Sequence, residues 1–275
     1  METVCQVCMH HCRLKPGQLG ICRARKNEDG KIRCENYGQV TSLNLDPIEK
    51  KPLHMFYPGS LILSVGSYGC NLRCPFCQNH EISMADKDGA ESCCISPQEL
   101  TERAQKYRPV GNIGVAFTYN EPLIGWEYVR DTAKLVHACG MKTVLVTNGS
   151  ASLLVLEELL PCVDAMNIDL KGFGREYYRK LGGDLDTVKA FIARAAKDCH
   201  VELTTLIVPG ENDGLQEMEE EAEWIASVNR DIPLHLTRFF PRYRMMDREA
   251  TDVRRIYELK ETAERYLPYV YAGNC

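Results

Sequence analysis

Cys70, Cys74 and Cys77 stand in the order Cys-x3-Cys-x2-Cys, three thiols within eight residues. Thiolates are metal ligands, and three on so short a loop wrap one small centre. A structural zinc takes four ligands in a closed tetrahedron, and no fourth is supplied locally. A four-iron cluster has a different logic: three irons take cysteine and one is left open for a chelating ligand. The loop therefore reads as a cluster site with a vacant coordination position.

A second set lies at the N-terminus. Cys5, Cys8 and Cys12 follow Cys-x2-Cys-x3-Cys, and Cys22 comes after nine further residues that include Pro16, Gly17 and Gly20. His10, His11 and Cys34 are close in sequence. Four thiolates would close a zinc site and fold a segment with little core of its own. They would equally hold a second iron–sulfur cluster, although the spacing departs from the ferredoxin run Cys-x2-Cys-x2-Cys-x3-Cys. Unligated thiols are the third reading. Cys139, Cys162 and Cys199 sit in apolar or helical surroundings and read as packing residues. Eight of the fourteen cysteines fall within Met1–Cys77. In a chain with no apolar leader, that density points to metal ligation rather than disulfides.

These loops need elements to hold them. From residue 59 onward strand and helix patterns alternate. Strands are expected at Leu61–Val65, Ile113–Thr118, Thr143–Thr147, Ala165–Leu170, Val201–Val208 and Leu234–Phe239, short Val/Ile/Leu-rich runs of the kind buried on both faces. Between them, Ser96-Pro97-Gln98-Glu99 reads as a capping box opening a helix to about Tyr107. Further helices are expected at Gly125–Cys139, Ala151–Leu160, Asp184–Asp198, Gln216–Asn229 and Thr251–Leu267. Six strand–helix units in series give a parallel α/β sheet, either doubly wound or rolled into a barrel. No Gly-x-Gly-x-x-Gly follows the first strand, which weakens the dinucleotide-binding version. The cysteine loop sits instead at the strand's C-terminal end, where α/β active sites collect. The fold expected is a partial (β/α)6 TIM-like barrel, residues 59–275, preceded by a small Cys-rich metal-binding segment, residues 1–58.

Cys70-x3-Cys74-x-Phe76-Cys77 resembles the signature loop of radical S-adenosylmethionine enzymes. The run Gly69-Cys70-Asn71-Leu72-Arg73-Cys74-Pro75-Phe76-Cys77-Gln78-Asn79 is similar to that of the pyruvate formate-lyase (glycyl radical enzyme) activating enzymes. The N-terminal Cys-rich stretch, Asp46–Leu53 and Arg238–Met245 resemble the AmmeMemoRadiSam-system branch. The resemblance implies a [4Fe-4S] cluster on Cys70, Cys74 and Cys77 that cleaves S-adenosylmethionine reductively to a 5′-deoxyadenosyl radical. It implies cosubstrate contacts from Phe76, Asn79, Tyr119, Asn120, Glu121, Thr147, Asn148, Asp169, Lys171, His235 and Arg238, which lie in the loop or at strand ends. Their chemistry suits a zwitterion, with Glu121 accepting from an ammonium and Lys171 or Arg238 donating to a carboxylate. It also implies reduced flavodoxin or ferredoxin as electron donor. The hydrogen donor is a protein of the glycyl-radical-enzyme kind or a small molecule.

Composition limits the alternatives. The formal net charge is −5, so nucleic acid is not an expected partner, and no apolar run approaches bilayer length. A cytoplasmic enzyme is expected. The competing class is a non-catalytic zinc or RNA-binding module resting on the Cys/His-rich start and the basic residues between 13 and 33.

Overall fold

The computed structural model describes residues 1–275. Its main sheet has eight strands. These are β1 (Ser42–Pro47), β2 (Leu61–Gly66), β3 (Asn112–Phe117), β4 (Lys142–Thr147), β5 (Ala165–Asp169), β6 (His200–Ile207), β7 (Leu234–Arg238) and β8 (Val270–Gly273). Their spatial order follows the chain from β1 to β8 without reversal. A doubly wound sheet needs a reversal point; a strictly sequential parallel order keeps all crossovers on one side and curls the sheet into a barrel. β2 to β8 are parallel, whereas β1 runs antiparallel beside β2.

The six expected strands appear within a residue or so of their predicted limits. Two were not expected. β8 is a short terminal strand. β1 reads Ser-Leu-Asn-Leu-Asp-Pro, with no residue fully buried, so it carries no apolar run of the kind that marked the others. It precedes residue 58, so the Cys-rich segment contributes an edge strand to the barrel. A helix over Arg175–Leu181 was also unforeseen: its seven residues include four charges, and only Tyr177, Tyr178 and Leu181 are buried.

Alternation along the strands sorts the core into two faces. Leu63, Val115, Leu145, Ile168, Leu203 and Leu236 face the surrounding helices in the main core. Ile62, Ala116, Val144 and Ala165 face the barrel interior, where Ile48, Leu53 and Phe56 from the β1–β2 connection close its floor. Further up the same inward rows the residues become polar: Ser64, Asn167, Glu202, Thr204 and His235, all buried. Asn167 donates to the Pro52 carbonyl (2.9 Å) and accepts from Thr204 (3.0 Å). The interior is thus apolar below and hydrogen-bonding above. No helix is long and apolar enough to cross a membrane.

The expected capping box is formed. Ser96 Oγ accepts from the Glu99 amide (3.2 Å), and Glu99 Oε2 accepts from the Ser96 amide (2.8 Å), at the start of helix Pro97–Lys106. Ser96→Ala is expected to lower stability by about 1 kcal/mol, read as a lower urea midpoint with an unchanged slope.

Candidate active site

The cysteine loop leaves β2 at Gly66 and folds across the barrel mouth. Gly66 is required where it stands, since a Cβ there would lie 2.8 Å from the Tyr119 ring. Gly69 has φ +86°, and a Cβ would lie 2.5 Å from the Cys22 carbonyl. The N-terminal segment therefore presses directly on this loop. Asn120 holds the loop from the end of β3. Its side chain accepts from the Ser67 amide (3.0 Å) and donates to the carbonyls of Tyr68 and Gly69 (both 3.1 Å). The Leu72 amide donates to Cys70 Sγ (3.4 Å). Leu72, Cys74 and Phe76 pack with Tyr177, Leu181 and Phe239, and Cys70 and Cys77 lie against the same apolar group.

Burial raises the Cys70 thiol well above its ordinary range, with the Glu121 charge adding to it. Burial also raises Cys74, to about 11, although Lys171 opposes the shift. Lys171 Nζ donates to Asp169 Oδ2 (2.7 Å). Burial works against the Lys171 charge, but Asp169 and the sulfurs of Cys74 and Cys77 outweigh it, and its pKa rises. A cation is thereby fixed beside the cysteines.

Glu121 is 2% exposed. Its carboxylate accepts from the Thr147 hydroxyl (2.7 Å) and from the amides of Asn148 (2.8 Å) and Leu123 (3.0 Å). Burial pushes it up to about 7 despite these donors. Asn148 in turn donates to Asn71 Oδ1 (2.8 Å), beside Cys70 Sγ at 3.7 Å. Glu121, Thr147, Asn148 and Asn120 are thus engaged with one another and with the loop backbone. In this structure they brace the cysteines, whereas Asp169 and Lys171 form the charge pair beside them.

Below the loop a cleft encloses ≈ 2420 Å³ of open space, continuous with solvent, and reaches into the barrel. Four residues line it that sequence reasoning did not single out as contacts: Asp46, Lys51, His54 and Tyr271. Asp46 accepts from Lys51 Nζ (2.8 Å) and from the Tyr119 hydroxyl (2.8 Å). Burial resists the Asp46 charge, but these donors pull its pKa down to about 2. His54 stacks edge-on against His235 and leans on Tyr271, ring centroids 4.7 Å apart in both cases. His54 thus joins the segment after β1 to β8, across the gap between the unpaired edges. Asp46 is the penultimate residue of β1, a strand not expected from the sequence, and Lys51 lies in the connection that follows it.

The remaining expected site residues are dispersed around this cleft. Tyr119, in the left-handed region at φ 72°, turns its hydroxyl to Asp46, and its carbonyl accepts from Asn79 (2.7 Å). Phe76 is buried in the apolar group backing the cysteines. His235 is bonded to Glu202 (2.6 Å) on the interior wall. Arg238 donates to the Thr251 carbonyl (2.5 Å) and lies over Phe240, so its guanidinium is held on its own loop. Cys5, Cys8 and Cys22 are buried and Cys12 half-buried, in the segment that abuts the cysteine loop. Cys275 is exposed, with its sulfur against the Gly273 carbonyl. No three His, Cys, Asp or Glu side chains converge tightly enough to hold a single metal ion.

Comparison with known proteins supplies the lineage. The chain is 37% identical over 273 residues to an uncharacterized protein of Methanocaldococcus jannaschii, a match covering 98% of this chain and 80% of that one. It is 28% identical over 171 residues to the pyruvate formate-lyase 1-activating enzyme of Escherichia coli, covering 60% of this chain and 66% of that enzyme. In fold it resembles Streptococcus suis SuiB bound to S-adenosylmethionine, with TM-score 0.61, 13% identity and coverage of 78% of this chain and 52% of that one. It also resembles a domain of a pyruvate-formate lyase-activating enzyme from Bacteroides vulgatus, with TM-score 0.52, 19% identity and coverage of 58% and 99%. The profile of the Radical SAM superfamily matches residues 64–225, which take in the cysteine loop and the strand ends that brace it, and the chain belongs to that superfamily.

Proposed function

We propose that Cys70, Cys74 and Cys77 hold the four-iron cluster implied by the superfamily, and that the radical made there is passed to a protein substrate, as in an activating enzyme. The observation that carries this reading is the donor set. Three sulfurs lie at the mouth of a cleft without a local fourth ligand, backed by apolar side chains and faced by the Lys171 ammonium. The Tyr177 hydroxyl supports the fit: it is buried, has no partner, and lies near Cys74. An O–H aimed at a cluster sulfide or thiolate would be satisfied there. When bound, the cluster and S-adenosylmethionine supply a 5′-deoxyadenosyl radical through one-electron reductive cleavage.

The chain's own residues orient the cosubstrate and keep water from it. Asp169 and Lys171 present opposite charges side by side, the complement of an amino acid's ammonium and carboxylate. Glu121, Asn120, Thr147 and Asn148 fix the loop so that the cysteines need not reorganise on binding. Phe76 and Asn79 flank the same mouth. The electron donor is a reduced flavodoxin or ferredoxin, and the Cys-rich start of the chain is an appendage to a barrel of residues 59–275 whose edge strand, Ser42–Pro47, comes from residues 1–58. Cys5, Cys8, Cys12 and Cys22 make a second thiolate set, able to take zinc or another cluster.

One observation favours a small polar substrate instead. Tyr243 stacks on His80 (centroids 4.3 Å apart) and the Arg244 amide donates to the Pro75 carbonyl (2.9 Å), so the loop after β7 straps across the mouth. Behind it the barrel wall offers Lys51, His54 and His235 rather than an apolar groove. Deuterium transfer separates the two readings. With a deuterated candidate protein, label in 5′-deoxyadenosine supports the activating role. Label arising only from a deuterated small-molecule fraction supports the second reading. Absence of 5′-deoxyadenosine under every condition overturns both.

A further inference from the structure

The outer side of the cysteine loop carries a basic rim that the chemistry of the cleft does not use. Three elements meet there. Leu72, Cys74 and Phe76 of the loop share one buried apolar group with Tyr177 and Leu181 of the helix Arg175–Leu181 and with Met245 of the strap after β7. The Arg73 amide donates to the Leu181 carbonyl (2.9 Å), and the Arg244 amide donates to the Pro75 carbonyl (2.9 Å). Residues 73 and 75 flank Cys74, so helix and strap are both tied to the backbone beside this sulfur. The side chains turned outward here are mainly cationic. Arg73, Arg179, Arg242 and Arg244 are exposed, and none of them meets a carboxylate. Lys180 and Arg248 share a single one, Glu211, at 3.0 and 2.7 Å. The helix holds three basic residues and one acidic, and the strap Phe240–Glu249 three and two, in a chain whose net charge is −5. Phe240 and Met246 of the same strap are also exposed.

Arginine, methionine and aromatic side chains are the types enriched in protein interfaces, and unpaired surface charge of one sign steers a partner of the other. Position decides which partner. Of the six basic residues only Arg242 lines the cleft, so the rim faces away from the opening through which a substrate reaches the cosubstrate. It stands instead over Cys74, which is 8% exposed. Electron transfer falls off steeply with distance, so a carrier must dock where a cluster ligand lies nearest the surface. We propose that Arg73, Arg179 and Arg244, with Lys180 and Arg248, form the docking face for an acidic one-electron carrier protein. This rests on the cluster assigned above to Cys70, Cys74 and Cys77.

The test titrates the full chain, reconstituted anaerobically, with an oxidised acidic flavodoxin and, in a separate arm, an oxidised acidic ferredoxin. One of the two is expected to bind, and to bind more weakly as salt is raised. Arg179→Glu/Arg244→Glu should weaken that binding about tenfold or more. Arg103→Glu/Lys106→Glu, on the separate helix Pro97–Lys106, should bind as the wild type does. With dithionite, a small reductant that needs no docking face, the Arg179/Arg244 variant should form 5′-deoxyadenosine at the wild-type rate; with the carrier it should be slowed. If Arg244→Glu loosens the strap, seen as a lower unfolding midpoint, Arg179→Glu alone decides, since it lies on the helix. Carrier binding unchanged in these variants, or no binding of either carrier to the wild type, overturns the inference. Unchanged carrier binding with weakened capture of the substrate protein overturns it too, and gives the face to the substrate. A wild type that yields no 5′-deoxyadenosine with dithionite removes the proposed function, whereas the titration consumes no S-adenosylmethionine and still reads the docking face.

Discussion

Cys74→Ala is expected to abolish 5′-deoxyadenosine formation. Cys74 is buried among Leu72, Phe76, Tyr177 and Leu181, and Lys171 acts directly on its sulfur. Alanine there removes one of three thiolates and leaves a gap lined by apolar groups that water fills poorly. A three-cysteine site has no spare cysteine. The loss should appear as missing iron as well as missing product. Cys139→Ala is the control, because Cys139 lies at the far end of helix Trp126–Ala138 and packs on the helical core. Its activity should match the wild type. Retained cleavage by Cys74→Ala would refute the ligand assignment.

The second large effect is on stability. Glu202 is fully buried in the barrel wall, where its carboxylate accepts from four donors. These are His200 Nε2 (3.0 Å), His235 Nε2 (2.6 Å) and the amides of His54 (3.0 Å) and Met55 (2.8 Å). Glu202→Ala removes the shared acceptor of all four donors and releases the segment that floors the barrel. A loss of about 3–5 kcal/mol is expected, read from chemical unfolding. The same carboxylate sets an acid limb. Burial alone would raise its pKa, but His200, His235 and the two amides outweigh it and hold it at about 2, below the ordinary 4.5. The folded-state value is depressed, so its contribution is complete above about pH 4.5. It is lost as pH falls from there through about 2, amounting to about 3 kcal/mol. Glu202→Gln should therefore be less stable than wild type at neutral pH and flatter in acid. An unchanged acid limb would contradict the assignment.

The parallel barrel was legible in the sequence because its six central strands are short, apolar and separated by helices, one of them opened by the cap at Ser96. The edge strands were not. Ser42–Pro47 is partly exposed along its length, and Val270–Gly273 is too short to show a period. The cysteine loop stood out by its spacing, and the strand-end residues by the family resemblance together with their common place at strand C-termini. Position did not give orientation. Asn120, Glu121 and Asn148 sit where expected but turn toward the loop backbone and one another, because buried polar groups take the nearest partners available. Asp46, Lys51, His54 and Tyr271 were not expected at the cleft because the edge strands β1 and β8 and the connection after β1 bring them there, and none of these carries a periodic signal.

The most direct measurement is the cosubstrate's fate. The chain, reconstituted anaerobically with iron and sulfide and given S-adenosylmethionine and a low-potential reductant, is expected to release 5′-deoxyadenosine and methionine in equal amounts. Omitting the reductant should yield neither. A protein that takes up no cluster, or one that takes up a cluster and leaves S-adenosylmethionine intact, would contradict the account.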